Sequence, residues 1–169
     1  MLKDRLCFLI VFLFFLSPFY SCQTKKNASM HQPNQPMKKI INSSKAPAPI
    51  GPYSQAVQAG NTLYLSGQIA LDPSTNQLNN ADLETETHQV MRNIQAILHE
   101  AGYEMSDIVK TSIFLSDMVY FQRVNQVYAS YFKENFPARE TVQVAGLPLK
   151  VNVEISVIAV RETLLIDNK

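Results

Sequence analysis

The order of the periodic segments constrains the fold of this chain more than any other feature of its sequence. Two short apolar runs, 53–59 and 62–69, flank a Gly-Asn pair at 60–61, and this pattern predicts a hairpin of antiparallel strands. Hydrophobic residues then recur at helical spacing over 87–101, and Gly102 follows them as a stop signal. The pattern in the first half of the domain therefore predicts two strands followed by a helix that packs on them.

The second half repeats the alternation of strand and helix. Residues 108–115 alternate as a strand, and Ser-Asp at 116–117 can cap a helix whose apolar and aromatic side chains recur over 121–132. Two further strands are predicted at about 141–147 and 151–161. The order β-β-α-β-α-β-β predicts an α+β fold with two helices on one face of a mixed β-sheet.

Composition and charge narrow the class of partner. A chain of 169 residues with 46% hydrophobic and 17% charged residues fits one globular domain with a short appendage. The net charge is +1, and Lys and Arg form no cluster longer than a pair, so we do not expect nucleic acid as a partner.

Cysteine and histidine usage excludes two kinds of site from the domain. Cys7 and Cys22 both precede the domain, which therefore contains neither a disulfide nor a catalytic thiol. His88 and His99 are eleven residues apart, about 16 Å along a helix, and His31 lies far upstream. No metal site is predicted.

The N-terminal segment has the pattern of an exported protein. Two basic residues precede an apolar run over 6–19 that is too short for a membrane span, so residues 1–22 are predicted to be a signal peptide. Cys22 ends this run in a lipobox-like position and is the expected lipidation site, which predicts a periplasmic or membrane-anchored lipoprotein. Residues 23–40 are polar and predict a flexible tether. Translation from Met37 is the alternative, and it would leave the domain in the cytoplasm.

Arg139 is the strongest single candidate for a binding residue. It lies in a Pro-containing segment, 136–149, where a turn is predicted to lead into an alternating strand. A guanidinium presents a planar set of donors that matches a carboxylate with two hydrogen bonds, and a lysine cannot do this as well.

Several spaced motifs together give the chain a resemblance over roughly residues 37–161. The chain resembles the Rid (reactive intermediate deaminase, YjgF-like) family in the motifs at 46–57 (APAPIGPYSQAV), 65–69 (LSGQI), 107–111 (DIVKT), 136–149 (FPARETVQVAGLPL) and 153–160 (VEISVIAV). This resemblance places a Rid domain at 41–163 and a C-terminal tail at 164–169.

The resemblance implies a fold, an assembly and a reaction. Rid proteins have a chorismate-mutase-like fold and form homotrimers whose binding clefts lie between subunits. They hydrolyse imines and enamines of the 2-aminoacrylate type to 2-keto acids and ammonia. The reaction needs no metal or organic cofactor, because an imine carbon is already electrophilic and the protein has only to position it and to handle protons.

The resemblance also assigns roles to individual residues. Arg139 matches the arginine that binds the substrate carboxylate, while Tyr53, Ser66 and Gly67 match positions at the cleft. Asn125 is a further candidate for substrate binding, at the border of the second helical stripe.

Two positions depart from the family pattern. Thr141 stands where many members have a cysteine, and its hydroxyl can replace the thiol as a donor to the carboxylate. Ser156 is assigned to the position of the glutamate that orients the attacking water, although serine is a poor base. Under this assignment Glu154, two residues earlier, is not expected to take over that role.

Two functions follow from these departures. The first is hydrolytic deamination of reactive imines, with Arg139 and Ser156 as the catalytic pair. The second is a non-catalytic trimeric module that binds small carboxylates through Arg139, which the loss of a glutamate at 156 would favour. A ribonuclease is disfavoured by the neutral charge and by the absence of a histidine pair.

Overall fold

A six-stranded mixed sheet carries two helices on one face in the computed structural model, which describes residues 38–161. The strands are β1 (Lys39–Ile41), β2 (Ala56–Ala59), β3 (Thr62–Gln68), β4 (Ile108–Leu115), β5 (Ala138–Gln143) and β6 (Val153–Val160). The helices are α1 (Leu83–Glu100) and α2 (Phe121–Ala129).

The strand order in the sheet is β1-β2-β3-β6-β4-β5. All neighbours are antiparallel except β4 and β5, which α2 connects as a parallel pair. The sequence prediction of an α+β fold with two helices on one face of a mixed sheet is confirmed, and β1 is an additional strand at the edge.

The core forms where the helical stripe of α1 meets the inward face of the sheet. Val90, Met91, Ile94, Ile97 and Leu98 of α1 are completely buried. β6 alternates regularly between buried and partly exposed residues along its whole length, so its odd-numbered side chains face the helices. This burial of apolar surface is the main source of the free energy that holds the helices on the sheet.

Several boundaries differ from those predicted from the sequence, and three of them have a clear structural basis. β1 includes residues 39 and 40, which were assigned to the tether, and it pairs with β2. β2 begins at Ala56 rather than at residue 53, because the Tyr53 amide donates to the Gly51 carbonyl (2.9 Å) in a turn. β5 begins at Ala138, three residues before the predicted start, so Arg139 lies within a strand and pairs with Thr111.

The opposite face of the sheet is only partly covered within one chain. Tyr64, Phe114, Ile158 and Val160 lie on this face, and Tyr64 is half exposed. An apolar sheet face of this kind can pack against another subunit.

Several predicted features lie outside the described residues: the signal peptide at 1–22, the lipidation site Cys22, almost all of the tether and the C-terminal tail at 164–169. Over residues 38–161 no helix has both the length and the hydropathy needed to cross a membrane. The same part of the chain has no cluster of three or more His, Cys, Asp or Glu side chains that could hold a metal ion.

Candidate functional site

Arg139 and Asn125 meet between the edge strand and the second helix. Arg139 projects from β5 on the helix side of the sheet, and its Nη1 donates a hydrogen bond to Asn125 Oδ1 of α2. Within residues 38–161 no carboxylate forms an ion pair with Arg139. The guanidinium therefore keeps donors for an external acceptor.

Aromatic rings form the wall behind this guanidinium. Its central carbon lies 5.1 Å from the ring centroid of Tyr128 and 5.9 Å from that of Phe121. The Tyr128 hydroxyl is tied to Thr111 Oγ1 of β4 (3.0 Å), which fixes the ring under the arginine. Contacts with ring faces restrict a guanidinium without using its N–H groups.

A cavity of about 420 Å³ opens in front of Arg139. It is lined by Asn125, Tyr128, Ala129, Phe136, Pro137 and Arg139. The cavity is large enough for a small carboxylate with an apolar substituent.

Thr141 has the one buried side-chain oxygen or nitrogen in the described part of the chain that makes no hydrogen bond. It lies two residues beyond Arg139 on the same strand, and therefore on the same face of the sheet. Since an unsatisfied buried hydroxyl is costly, this group is a candidate to donate to a ligand.

A second, separate pocket of about 240 Å³ lies on the open face of the sheet. It is lined by Ile50, Tyr53, Ser66, Gly67, Ile69, Pro148 and Glu154. Three residues predicted from the sequence, Tyr53, Ser66 and Gly67, are therefore brought together, and Glu154 joins them from β6.

Local hydrogen bonds shape this second pocket. The Ile50 amide donates to the Tyr53 hydroxyl (3.3 Å), and Ser66 Oγ donates to the Ser54 carbonyl (2.7 Å). The pairing of β3 with β6 is irregular between Leu65 and Gln68, so the Ser66-Gly67 segment departs from the regular ladder. The irregularity thus falls at two residues that line the pocket, Ser66 and Gly67.

Gly67 and Glu154 are in close contact. A Cβ atom at position 67 would lie 1.9 Å from Glu154 Oε1, so any other residue there would displace the carboxylate. Glycine is needed here for space, since its backbone is not in the left-handed region.

The Glu154 carboxylate lies in a partly desolvated environment. Burial raises the pKa of Glu154 above the usual glutamate value, because an ionised carboxylate is disfavoured away from water. A raised pKa brings a carboxylate closer to the range in which it can accept and return a proton near neutral pH.

Ser156, the residue predicted to take the glutamate's place, lines neither cavity. It lies opposite Ser112 of β4 in the middle of the open face, beside a group in which Ser112 and Lys110 both contact Glu140. The structure thus places Glu154, rather than Ser156, with Tyr53, Ser66 and Gly67. The sequence analysis missed Glu154 as a site residue, although its motif contained it.

The two groups of residues lie on opposite faces of the sheet in one chain. Arg139 shares the helix-facing side with its strand partner Thr111, which is buried. Glu154 shares the open side with Phe114 and, through it, with Val142 of β5. One small molecule therefore cannot contact both Arg139 and Glu154 of the same chain.

The arrangement provides complementary chemistry at its two halves. The Arg139 group offers donors for a carboxylate, backed by aromatic rings. The Glu154 group offers a candidate general base in a small pocket whose walls include Ile50, Ile69 and Pro148. The two histidines of the described residues line neither cavity: His88 bonds to Tyr131 and His99 to Glu104.

Comparisons with known proteins agree on one family. The family model described as endoribonuclease L-PSP matches residues 43–161. A RutC family protein of Pyrococcus horikoshii is 48% identical over 126 residues, covering 75% of this chain and 100% of that protein.

A mouse protein named 2-iminobutanoate/2-iminopropanoate deaminase is 47% identical over 125 residues, covering 74% of this chain and 93% of that protein. Among solved structures, the Rid family protein YyfA from Yersinia pestis has a TM-score of 0.72 and 47% identity, covering 73% of this chain and 99% of that one.

Proposed function

Since the chain belongs to the Rid family, whose model is described as endoribonuclease L-PSP, we propose that it hydrolyses reactive imines and enamines of small amino acids to 2-keto acids and ammonia. The name of the mouse relative supports this reaction class. The observation that carries the proposal is the pocket in which Glu154, with a raised pKa, faces Tyr53 and Gly67.

The active cleft, in this proposal, forms between two subunits. Homotrimers are typical of the family, and the open sheet face with Tyr64 and Ile158 is available for packing against a neighbour. The Arg139 group of one subunit would then lie beside the Glu154 group of the next subunit. One substrate could contact both groups, although within one chain they lie on opposite faces of the sheet.

The substrate is held at one end and hydrolysed at the other. The guanidinium of Arg139 binds the carboxylate, and Asn125 keeps the guanidinium in place through its side-chain oxygen. Thr141 Oγ1, which has no hydrogen-bond partner within residues 38–161, donates a further hydrogen bond to the carboxylate. The apolar substituent of the imino acid packs in the pocket of Ile50, Ile69 and Pro148.

Glu154 acts as the general base. Its carboxylate accepts a proton from a water molecule while the water oxygen forms a bond to the imine carbon, and the imine nitrogen takes up a proton to give a carbinolamine. The proton taken up by the imine nitrogen comes from solvent. Glu154 then gives its proton to the amine nitrogen as the C–N bond breaks and ammonia leaves, and the carbinolamine hydroxyl returns a proton to solvent as the C=O bond forms, so the sum is imine plus water to keto acid plus ammonia. Such a positioned group contributes about a hundredfold to ten-thousandfold.

Export of this activity remains a proposal from the sequence alone. The basic and apolar pattern over 1–22 and the lipobox-like Cys22 support a membrane-anchored lipoprotein, and Met37 as an alternative start supports a cytoplasmic form.

The competing function is a trimeric module that binds small carboxylates without turnover. The unpaired donors of Arg139 are sufficient for binding and support this function as well. The Glu154 pocket favours the deaminase, because a carboxylate with a raised pKa is suited to proton transfer, which a module that only binds carboxylates does not need.

Deamination is tested with an imine generated in place by an amino-acid oxidase. Semicarbazide traps the remaining imine, so a faster hydrolysis appears as less semicarbazone. We expect the purified protein to lower the semicarbazone yield and Arg139→Ala to abolish this effect. Arg123→Ala is the matched control, because Arg123 is exposed and pairs with Glu84 (2.5 and 2.7 Å) away from both cavities.

One result would reject the deaminase, and another would reject the role of Arg139 in it. A folded wild-type protein that leaves semicarbazone at the buffer level but binds a 2-keto acid through Arg139 would be the carboxylate-binding module. Activity that survives in Arg139→Ala would show that the carboxylate is recognised elsewhere.

A further inference from the structure

We propose that Glu86, a buried carboxylate of α1, is a positioning residue that holds the start of β6 so that Glu154 is presented in its pocket. The proposal rests on the proposed function, because it assigns Glu154 a catalytic role. Glu86 itself touches neither cavity.

The three hydrogen bonds that the Glu86 carboxylate accepts all come from the two residues that precede Glu154. Its Oε1 accepts from the Asn152 amide (2.6 Å) and from the Val153 amide (3.3 Å), and its Oε2 accepts from Asn152 Nδ2 (2.8 Å). The side chain is completely buried in the middle of the helix–sheet layer.

Glu86 has no basic partner within residues 38–161. A buried carboxylate without a cation is expensive to desolvate, and three N–H donors offset that cost only if their geometry is kept. The backbone at 152 and 153 is therefore held to a narrow range of positions relative to α1.

This constraint is passed on to the candidate base through one peptide unit. Val153 opens β6 and is completely buried, and Glu154 follows it on the opposite face, against Gly67. Because a displacement of about 1 Å of a reacting group can lower a rate about a hundredfold, a loosened β6 start affects turnover more than ligand capture.

The same helix holds the facing wall of the pocket. Asn93, two turns beyond Glu86, donates through Nδ2 to the carbonyls of Ile69 (3.0 Å) and Leu71 (2.9 Å). Ile69 lines the Glu154 pocket. The buried polar side chains of α1 therefore connect to both sides of the pocket, which an ordinary core helix has no need to do.

Three variants test the proposal. Glu86→Ala removes all three hydrogen bonds, and we expect a fall in kcat of about tenfold to a hundredfold with KM within about threefold, since Arg139 still binds the carboxylate. Glu86→Gln keeps the shape, and we expect activity within about threefold of wild type. In wild type the Ser116 hydroxyl donates to Asn152 Oδ1. In Glu86→Gln the side-chain amide of Asn152 can flip, so that its oxygen accepts from the glutamine and its NH2 group donates to the Ser116 hydroxyl.

Thr87→Ala is the matched control. Thr87 is also a completely buried polar residue of α1, but its hydroxyl donates only to the Leu83 carbonyl of the same helix (2.7 Å). We expect Thr87→Ala to have a lower free energy of unfolding than wild type and an unchanged kcat. If Glu86→Ala does not fold, Glu86→Asp, which withdraws the carboxylate by one methylene, is expected to show the same loss of kcat.

A second readout is independent of turnover. NMR titration of the Glu154 carboxyl should show a raised pKa in wild type and in Glu86→Gln, and a pKa closer to the ordinary glutamate value in Glu86→Ala or Glu86→Asp, because a misplaced side chain is better solvated. If wild type proves to have no deaminase activity, the proposed function fails, and this titration alone decides whether Glu86 positions Glu154.

Three results would overturn the positioning role. Glu86→Ala could keep wild-type kcat and an unchanged Glu154 titration. Glu86→Gln could be as impaired as Glu86→Ala, which would show that charge rather than position matters. Thr87→Ala could lose kcat to the same extent, which would show a general effect of destabilising α1.

Discussion

Gly67 and Glu154 are coupled by contact, because the carboxylate occupies the space where a side chain of residue 67 would begin. Because residue 67 has no Cβ atom, the carboxylate of Glu154, the candidate base, can lie against its backbone. The backbone conformation of Gly67 is open to other residues, so the restriction is steric rather than conformational.

Gly67→Ala should therefore separate activity from stability. The added methyl displaces the end of a flexible side chain, so we expect the free energy of unfolding to change by less than about 1 kcal/mol while kcat falls about tenfold or more. Gly146→Ala is the control, since its Cβ would meet no atom within 4 Å. Denaturant unfolding and the semicarbazide assay measure the two effects, and an unchanged kcat would show that the carboxylate position does not matter.

The raised pKa of Glu154 predicts the pH dependence of the reaction. A general base must be deprotonated, so kcat/KM should decline as the pH falls through this pKa, at a higher pH than for an ordinary glutamate. Glu154→Gln should remove this decline together with most of the activity, whereas Ser156→Ala should retain both. A profile of kcat/KM against pH, corrected for uncatalysed hydrolysis, checks this expectation. Loss of activity in Ser156→Ala would assign the role of general base to Ser156 instead.

The same pKa predicts a cost in stability. Because folding favours the protonated form of Glu154, its stabilising contribution is fully present below the unfolded-state pKa and is lost as the pH rises through the folded-state pKa. At neutral pH, Glu154→Gln should therefore unfold at a higher denaturant concentration than wild type, and the difference should shrink as the pH falls. An equal midpoint at all pH values would mean that the carboxylate is well solvated.

At the level of single residues, the sequence analysis named Arg139, Asn125 and the residues of the Tyr53 pocket as candidates, which the structure groups in two cavities, but it chose Ser156 instead of Glu154 for the glutamate's role. Residues two apart on a strand share a face, so alternation alone gives no preference between them. The choice depends on the irregular pairing of β3 and β6 near Gly67, which is a tertiary feature. The signal available in the sequence was the presence of both the glycine motif at 65–69 and a glutamate, Glu154, in the last strand.

At the level of elements, α1 acts as the support of the second pocket through its buried polar side chains. Gln89 Nε2 donates to Asn93 Oδ1 (2.9 Å), and Gln89 Oε1 accepts from Asn79 and Arg92. Asn93 thereby uses its acceptor as well as both of its N–H groups. Such a fully satisfied network fixes one arrangement of the loop that follows β3.

Asn93→Leu should accordingly be strongly destabilising. The Leu71 carbonyl would lose its Asn93 donor and Gln89 Nε2 would lose its acceptor, at about 1–3 kcal/mol for each buried group left unpaired, while the Ile69 carbonyl would still accept from the Leu71 amide (2.9 Å). We expect a clear drop in the denaturation midpoint, while Gln95→Leu, a change at a less buried position of the same helix, should have little effect. Equal effects of the two substitutions would show that the loop finds other donors.

The element order followed from the sequence because each periodic segment is long enough to carry its own pattern. β1 has only three residues and two of them are exposed, so it lacks any periodic signal and depends on pairing with β2. The start of β5 was missed for a related reason. Its residues are mostly exposed, and the parallel pairing with β4 sets its limits.

At the level of the whole molecule, the two faces of the sheet divide the candidate site. Arg139 faces the helices and Glu154 faces away from them, so the proposed reaction requires that a second copy bring its own half to the cleft. A closed ring of three subunits would contain three such clefts, each built from two different chains.

Subunit mixing tests this division directly. Arg139→Ala and Glu154→Gln should each be inactive alone, but trimers assembled from equal amounts of both should recover about a quarter of wild-type activity, because half of the subunits supply an intact arginine and half an intact glutamate at random. Wild type mixed equally with the double variant should also give about a quarter. If instead each chain held a complete site, the first mixture would stay inactive and the second would retain about half, so the two mixtures together distinguish a shared cleft from a site within one chain.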